Sequence, residues 1–180
     1  MKSLLLKSMA LMTAFAMTLS LSSCGDDNDE PQSPSTPSTP AVTDYVLTSK
    51  IKVHQDMLTY FDVNVTYIAS NGEVKTTTLE STDFNHNDRF APANLPADLV
   101  LKAVATPKST YPAIEPDKVY NFLQYEYLIA LDGYDRNGTR VSNMGKSNSK
   151  KAQTNGVHLQ EALNNGREIK ICDYSAPIKK

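Results

Sequence analysis

The stretch 118–131, KVYNFLQYEYLIAL, carries the strongest strand signal in this 180-residue chain and decides the fold class. Apolar side chains occupy every second position of its second half, which places them on one face of an extended strand. That face holds Leu123, Tyr125, Tyr127, Ile129 and Leu131, while the other holds Tyr120, Phe122, Gln124, Glu126 and Leu128. The sequence therefore predicts one long strand with large side chains on both faces.

The same two-residue period recurs on both sides of this stretch. In 47–54, LTSKIKVH, the odd-numbered residues are expected to face inward and the even-numbered ones to face water. The apolar run 99–105 indicates a central strand with both faces covered. Asn71-Gly72 predicts a hairpin with a type I′ turn, because both central residues of that turn need a positive φ. Further strands are predicted at 61–67, 73–80, 139–141 and 169–171.

One segment departs from the strand pattern. Leu159, Ala162 and Leu163 share helical spacing, and Gly166 offers a C-terminal cap, so a short helix is predicted near 157–165. About seven strands separated by turns indicate an all-β domain over residues 44–180. The expected fold is a two-sheet sandwich, immunoglobulin-like or transthyretin-like. A small closed barrel of the lipocalin kind is the alternative.

The N-terminus has the order of a secretory signal. Lys2 and Lys7 precede an apolar stretch over 9–21, which is too short for a comfortable membrane span and ends in Leu-Ser-Ser-Cys at 21–24. This ending resembles the lipobox of bacterial lipoproteins. The resemblance implies that residues 1–23 are a signal peptide and that Cys24 carries a diacylglycerol and an acylated amine. Two or more acyl chains would attach the protein stably to a membrane, the outer membrane being expected. A plain signal peptide with a chance cysteine is the alternative.

Residues 24–43 are expected to form a tether. Four acids come first, followed by a segment rich in Pro, Ser and Thr that cannot bury enough apolar area to fold. The acids, Asp26, Asp27, Asp29 and Glu30, are similar to the tract behind the lipidated cysteine in small surface lipoproteins of the Bacteroidota, which implies export to the cell surface. Otherwise they form a solvated, self-repelling tether root, and the domain faces the periplasm.

The ordinary signatures of catalysis and metal binding are not recognised in the sequence. His54, His86 and His158 have no spacing typical of metal ligands, so no metal and no cofactor are expected. If Cys24 carries lipid, Cys172 has no partner in the chain, and a buried inert thiol is expected. Residues 44–180 hold 16 acidic and 16 basic residues, which argues against nucleic acid as a partner.

Four aromatic residues and one polar segment remain as candidates for binding. Tyr60, Tyr120, Phe122 and Tyr134 form an exposed platform for glycan or protein if their faces meet water. They belong to the core if both faces are covered, which the need of a sandwich for large residues favours. The polar segment 141–156 is interpreted as a mobile or recognition loop.

These features together predict a lipid-anchored cell-envelope protein with a non-catalytic β-sandwich that binds or assembles. A structural accessory of a surface assembly and a small hydrolase are the alternatives.

Overall fold

The computed structural model describes residues 41–179, whose main strands form two four-stranded antiparallel sheets packed face to face. The elements in chain order are β1 (Asp44–Val53), α1 (Gln55–Tyr60), β2 (Phe61–Ile68), β3 (Val74–Thr78), β4 (Asp83–Phe90), β5 (Asp98–Pro107), β6 (Val119–Tyr120), β7 (Tyr125–Tyr134), β8 (Arg140–Lys150), β9 (Thr154–Asn155), α2 (Gly156–Asn164) and β10 (Ile169–Pro177). A single 3₁₀ turn, Pro92–Asn94, precedes β5.

The strand order confirms the two-sheet sandwich. Sheet A has the order β4-β1-β7-β8, sheet B has the order β10-β5-β2-β3, and β6 pairs with β9 in a small third sheet. The barrel alternative is wrong, because the sheets of the described segment do not close and β4, β8, β10 and β3 stay at their edges. The domain is thus all-β, with eight strands in its two main layers.

The core lies between the two sheets, where the predicted alternation holds. On β1, Leu47, Ile51 and Val53 are buried, while Lys50 and Lys52 are exposed. The apolar run predicted as a central strand is β5, which lies between β10 and β2. Apolar burial of this kind provides most of the stabilisation of a two-layer fold.

The segment 118–131 is not one strand, as the sequence predicted, but β6 and β7 separated by a turn. The Gln124 N–H donates to the Asn121 carbonyl oxygen at 2.9 Å, which closes that turn. The Asn121 N–H in turn donates to Asp56 Oδ2 at 2.6 Å, which ties the turn to α1. This helix was missed in the sequence: His54 does not continue β1 but caps α1, its Nδ1 accepting from the Asp56 N–H at 3.1 Å. The turn reverses which parity of residues faces the core. Even-numbered side chains are therefore buried before β7, and odd-numbered ones are buried on it.

Two hairpins are closed by three-residue loops that end in glycine. Gly72, at φ +80°, and Gly138, at φ +76°, each donate their N–H to the residue three positions earlier, Ala69 and Asp135. The strands join around Ser70–Gly72 and Arg136–Gly138, an arrangement of a type I turn followed by a left-handed residue. The predicted hairpin at Asn71-Gly72 is therefore confirmed, whereas the two-residue type I′ turn is wrong.

The predicted helix is confirmed as α2. Asn155 caps its start, with Oδ1 accepting from the His158 N–H at 3.1 Å. At its end Gly166 has φ +60°, and the Arg167 N–H donates to the Ala162 carbonyl oxygen at 2.9 Å. These bonds satisfy carbonyl groups that the helix end leaves free, as expected from a glycine cap.

The polar segment 141–156 is not a loop, because most of it forms β8, and β9 and the start of α2 follow. β8 pairs with β7 along its whole length, from Arg140 opposite Tyr134 to Lys150 opposite Tyr125. Pairing with a well-buried neighbour holds this strand in place although its own side chains are nearly all exposed. The prediction of a loop failed because an edge strand does not need alternating apolar and polar side chains.

Candidate functional site: the cationic edge strand β8

β8 is the longest strand of the described residues and has only one neighbour in its sheet. Its 11 residues pair with β7 on one side, while the other side borders no strand among residues 41–179. An edge of this kind presents a row of N–H and carbonyl groups that a further strand can bind. At about 3.4 Å per residue, it extends over roughly 35 Å.

The side chains that β8 turns toward sheet B follow from its register with β7. Met144 lies opposite Leu131, Lys146 opposite Ile129 and Lys150 opposite Tyr125, which are residues of the inward-facing parity. Met144 packs partly against the core. Lys146 lies close enough to Cys172 to influence the pKa of its thiol, which places this lysine on the side of β10. One face of the edge is therefore apolar at one end and cationic toward the other.

The charge of this part of the chain has a single sign. Residues 136–160 contain five basic residues and no acidic one, although residues 44–180 as a whole are balanced; the five are Arg136, Arg140, Lys146, Lys150 and Lys151. Arg140 contacts Asp132, with Nη1 3.4 Å from Oδ1. Within residues 41–179, the three lysines make no ion pair with a carboxylate. β8 thus carries two lysines, Lys146 and Lys150, whose charge no carboxylate within residues 41–179 neutralises by an ion pair.

Two cavities lie along the side of the sandwich between β8 and β10. A cavity of about 440 Å³ is lined by Met144 and other apolar residues, including Leu131, Pro177 and Ile178. A second, of about 330 Å³, lies near Lys150 at the other end of β8. Its charged lining consists of Lys150, His158, Glu161, Arg167, Glu168 and Lys170. The first cavity is mostly apolar, with Lys179, Ser142 and Asn143 also in its lining, and the second holds three cationic side chains against two carboxylates.

The three other edges of the main sheets are shorter or carry both signs of charge. β3 has five residues, β4 mixes Asp83 and Asp88 with Arg89, and β10 is interrupted by a bulge near Ile171 and ends at Pro177. Lysines on an edge strand also have a protective interpretation, because they discourage the pairing of sheets from two molecules. Protection explains scattered charges, but not the apolar-to-cationic order along one face of β8.

The outer face of sheet A offers a broader and shallower depression of about 780 Å³. Lys50, Glu126 and Leu128 line it, together with Ser147 and Ser149 of β8. Its charges are of both signs, and Lys52 is paired with Asp83 at 3.7 Å. This depression borders the cationic edge and has no charge preference of its own.

The predicted aromatic platform is wrong for three of its four residues. Tyr60, Tyr120 and Phe122 are only 5%, 2% and 3% exposed, so the core alternative is confirmed for them. The Tyr60 and Tyr120 rings meet edge to face with centroids 5.6 Å apart, and the Phe122 ring stacks on the Phe61 ring at 5.5 Å. Burial among these groups raises the pKa of Tyr60 to about 12. Tyr134, at the end of β7, is partly exposed.

The three histidines lie apart, and no cluster of three or more potential metal ligands occurs within residues 41–179. His86 is on β4, and its Nε2 contacts Asp88 Oδ2. Ser49 lies opposite His86 on β1, so the residue types of a hydrolytic triad come together. Ser49 Oγ is fully buried and has no hydrogen-bond partner, however, so this serine is neither activated nor accessible to a substrate.

Cys172 is buried on β10, as predicted. Its Sγ donates to the Leu101 carbonyl oxygen at 3.2 Å. Burial raises the pKa of the thiol to about 11, which keeps it protonated at neutral pH. A reactive cysteine requires the opposite shift, so Cys172 has the character of a core residue.

The N-terminal predictions lie outside the described residues. They concern the signal peptide 1–23, the lipidated Cys24, the acids Asp26, Asp27, Asp29 and Glu30, and all but the last residues of the tether. Within residues 41–179, no helix is long and apolar enough to cross a membrane.

Comparison with known proteins gave no relative. No protein-family model matches the chain, and no curated protein and no solved structure matches it.

Proposed function

We propose that this chain is a lipid-anchored cell-envelope protein whose β-sandwich is a non-catalytic module for binding or assembly, and that β8 is the surface that meets its partner. The observation that carries the proposal is an 11-residue edge strand that borders no strand on one side and holds two lysines, Lys146 and Lys150, without an ion pair within residues 41–179. Such an edge binds extended polypeptide by adding it to the sheet.

The placement in the envelope rests on the sequence. The basic start, the apolar stretch and Leu-Ser-Ser-Cys at 21–24 support a lipid on Cys24 and an outer-membrane location. The acidic tract Asp26–Glu30 supports exposure at the cell surface, and the proline-rich residues behind it suit a spacer that holds the domain away from the membrane.

A polypeptide partner is favoured over a glycan because three of the four aromatic candidates for stacking are buried. Stacking on sugar rings needs exposed aromatic faces, and Tyr60, Tyr120 and Phe122 are in the core. The same free edge favours a second candidate, a structural accessory that joins a surface assembly by strand addition. A hydrolase is the weakest candidate, since Ser49 in the serine–histidine–aspartate group is fully buried.

Two variants test the anchor and the export signal in the native host. With Cys24→Ser, the protein is expected to leave the membrane fraction for the soluble fraction. With Asp26, Asp27, Asp29 and Glu30 all changed to Ala, it is expected to stay on the membrane but to resist protease added to whole cells. Membrane retention of the Cys24→Ser protein contradicts the lipid anchor, and unchanged protease accessibility contradicts the export signal.

Binding is tested with the full chain, purified in a non-ionic detergent, on arrays of peptides and glycans. Selective retention by peptides, lost in a Lys146→Glu/Lys150→Glu variant, is the expected result. A Lys50→Glu/Lys75→Glu variant is the matched control, because it makes the same charge change at exposed strand residues outside β8. Selective binding of glycans alone, or hydrolysis of an arrayed compound, would overturn the proposal.

A further inference from the structure

Resting on the proposed function, we infer the chemistry of the partner: β8 takes up an acidic, extended polypeptide segment as a fifth strand of sheet A. One face of that segment carries an apolar side chain at the Met144 end, followed by carboxylates opposite Lys146 and Lys150. Three features of β8 indicate such a segment. They are the backbone groups of its outer side, the two cavities beside it and the sign of its charge.

The first step is the backbone. β8 already has strand geometry over 11 residues, so an added strand finds donors and acceptors in place and orders no new part of the domain. β8 has no proline, and its one irregularity lies at its start, near Arg140. The regular part, Ser142–Lys150, therefore accepts an uninterrupted ladder of about seven residues or more.

The second step is the face of the added strand. Side chains of neighbouring strands align, so alternate residues of the new strand lie beside Met144, Lys146, Asn148 and Lys150 on the side of sheet B. The first of these positions borders the mostly apolar cavity formed with Pro177 and Ile178. The last borders the cavity that contains Arg167 and Lys170. A segment that matches both ends has an apolar residue at one end and carboxylates two and six positions along the same face.

The third step is the sign of the charge, which favours a segment with carboxylates over a second copy of β8. In an antiparallel pairing of two β8 strands centred on Gly145, Arg140 of one copy would face Lys150 of the other. Centred on Asn148, Lys146 would face Lys150. Like charges that lie directly opposite destabilise a strand pair, so these two registers of self-pairing are opposed, whereas carboxylates at the same positions are attracted.

The experiment uses fluorescein-labelled heptapeptides and the full chain in a non-ionic detergent, with binding followed by fluorescence anisotropy. The probes are Leu-Thr-Glu-Thr-Thr-Thr-Glu and its reverse, which cover parallel and antiparallel addition. Replacing Glu by Gln in both, or moving both Glu residues by one position to the other face, gives control peptides. We expect at least one Glu probe to bind about tenfold more tightly than its controls, and to weaken about tenfold with Lys146→Glu/Lys150→Glu.

Amide hydrogen exchange separates strand addition from simple charge attraction. The bound Glu probe is expected to slow the exchange of amides within Ser142–Lys150, while the Lys50→Glu/Lys75→Glu control binds as the unchanged chain does. Binding of the probe that leaves amide exchange in β8 unchanged would overturn the inference. So would binding of heparin that is as tight as that of the probe and is weakened equally in both lysine variants. A dimer formed through β8 would overturn it as well.

Failure of this inference is distinguishable from failure of the proposed function. If the array identifies a peptide without carboxylates whose binding depends on Lys146 and Lys150, the proposed binding module stands and the inference of an acidic partner is wrong. If no arrayed peptide and no Glu probe binds the chain, both the proposed function and the inference are wrong.

Discussion

Ser49 lies directly opposite His86 in the pairing of β1 with β4, and each carries a buried polar atom without an aligned hydrogen bond. Two residues along β4, Asp88 turns its carboxylate against His86 Nε2, and the Tyr67 ring covers the histidine with centroids 4.6 Å apart. This small polar cluster lies between the sheets, near the β4 edge. Buried polar atoms without a partner cost free energy, so the cluster is a weak point of the core.

Ser49→Ala is expected to stabilise the protein by about 1 kcal/mol, because it removes a buried hydroxyl that has no partner. The change is measured as the free energy of unfolding in urea. Ser175→Ala, which removes an exposed hydroxyl from β10, is the control and is expected to change it by less than about 0.5 kcal/mol. Destabilisation by Ser49→Ala would mean that the hydroxyl has a partner, such as a buried water, and would contradict this account.

Phe122→Ala is expected to destabilise the domain by about 3–5 kcal/mol, because it empties the space beside the Phe61 ring. The partly exposed Tyr134 provides the contrast, and Tyr134→Ala is expected to cost much less. Thermal and urea unfolding measure both changes. Similar small losses for the two variants would mean that Phe122 is not a core residue after all.

The alternation of apolar and polar residues predicted the strands that have one buried face. On β1 and β2, the residues of one parity face the other sheet and are buried. The apolar side chains of Leu47, Ile51 and Val63 occupy such positions, so their spacing in the sequence records the burial directly. The break at Asn121 was not predictable from such a pattern. It depends on a hydrogen bond to Asp56, which is 65 residues away in the chain. Tertiary contacts of this kind override local periodicity.

The sequence named the segment of the candidate site as a mobile or recognition loop and not as a strand, because this strand is held by its neighbour and not by its own side chains. Residues 140–150 contain only Val141 and Met144 as apolar side chains of any size, which is why a loop was predicted. A signal was nevertheless present: five basic residues and no acid over 136–160, in a domain that is balanced overall. The aromatic candidates failed for the opposite reason, since residue type alone does not tell a core tyrosine from a surface one.

Stability is expected to fall at alkaline pH because of Cys172. Below about pH 9 the thiol is protonated in both the folded and the unfolded chain, so it adds no pH dependence. Between pH 9 and about 11, the unfolded chain loses this proton while the folded chain keeps it, because burial raises the pKa of the thiol to about 11. The free energy of unfolding then decreases by about 1.4 kcal/mol per pH unit from this group.

The control for this pH dependence is Cys172→Ala, which is expected to make the decrease between pH 9 and 11 shallower. A residual slope is expected, since burial also raises the pKa of Tyr60 and of Tyr127. Urea unfolding at several pH values measures the two slopes. Iodoacetamide should also label Cys172 far more slowly in the native chain at pH 8 than in urea. Equal slopes with and without Cys172, or rapid labelling of Cys172 in the native protein, would show that the thiol is not buried.

Gly145→Ala is expected to loosen β8 from β7 and to weaken the binding of the acidic probes. A Cβ at this position would collide with the Ile129 carbonyl oxygen and lie 2.8 Å from Ala130 Cα, so the two backbones must separate. Gly138→Ala is the control, because φ is +76° there but no atom lies within 4 Å of the new Cβ. That variant should lose about 1 kcal/mol through backbone strain and keep β8 in place. Amide exchange within β8 should therefore accelerate in Gly145→Ala alone, and unchanged exchange there would contradict the close approach of the two strands.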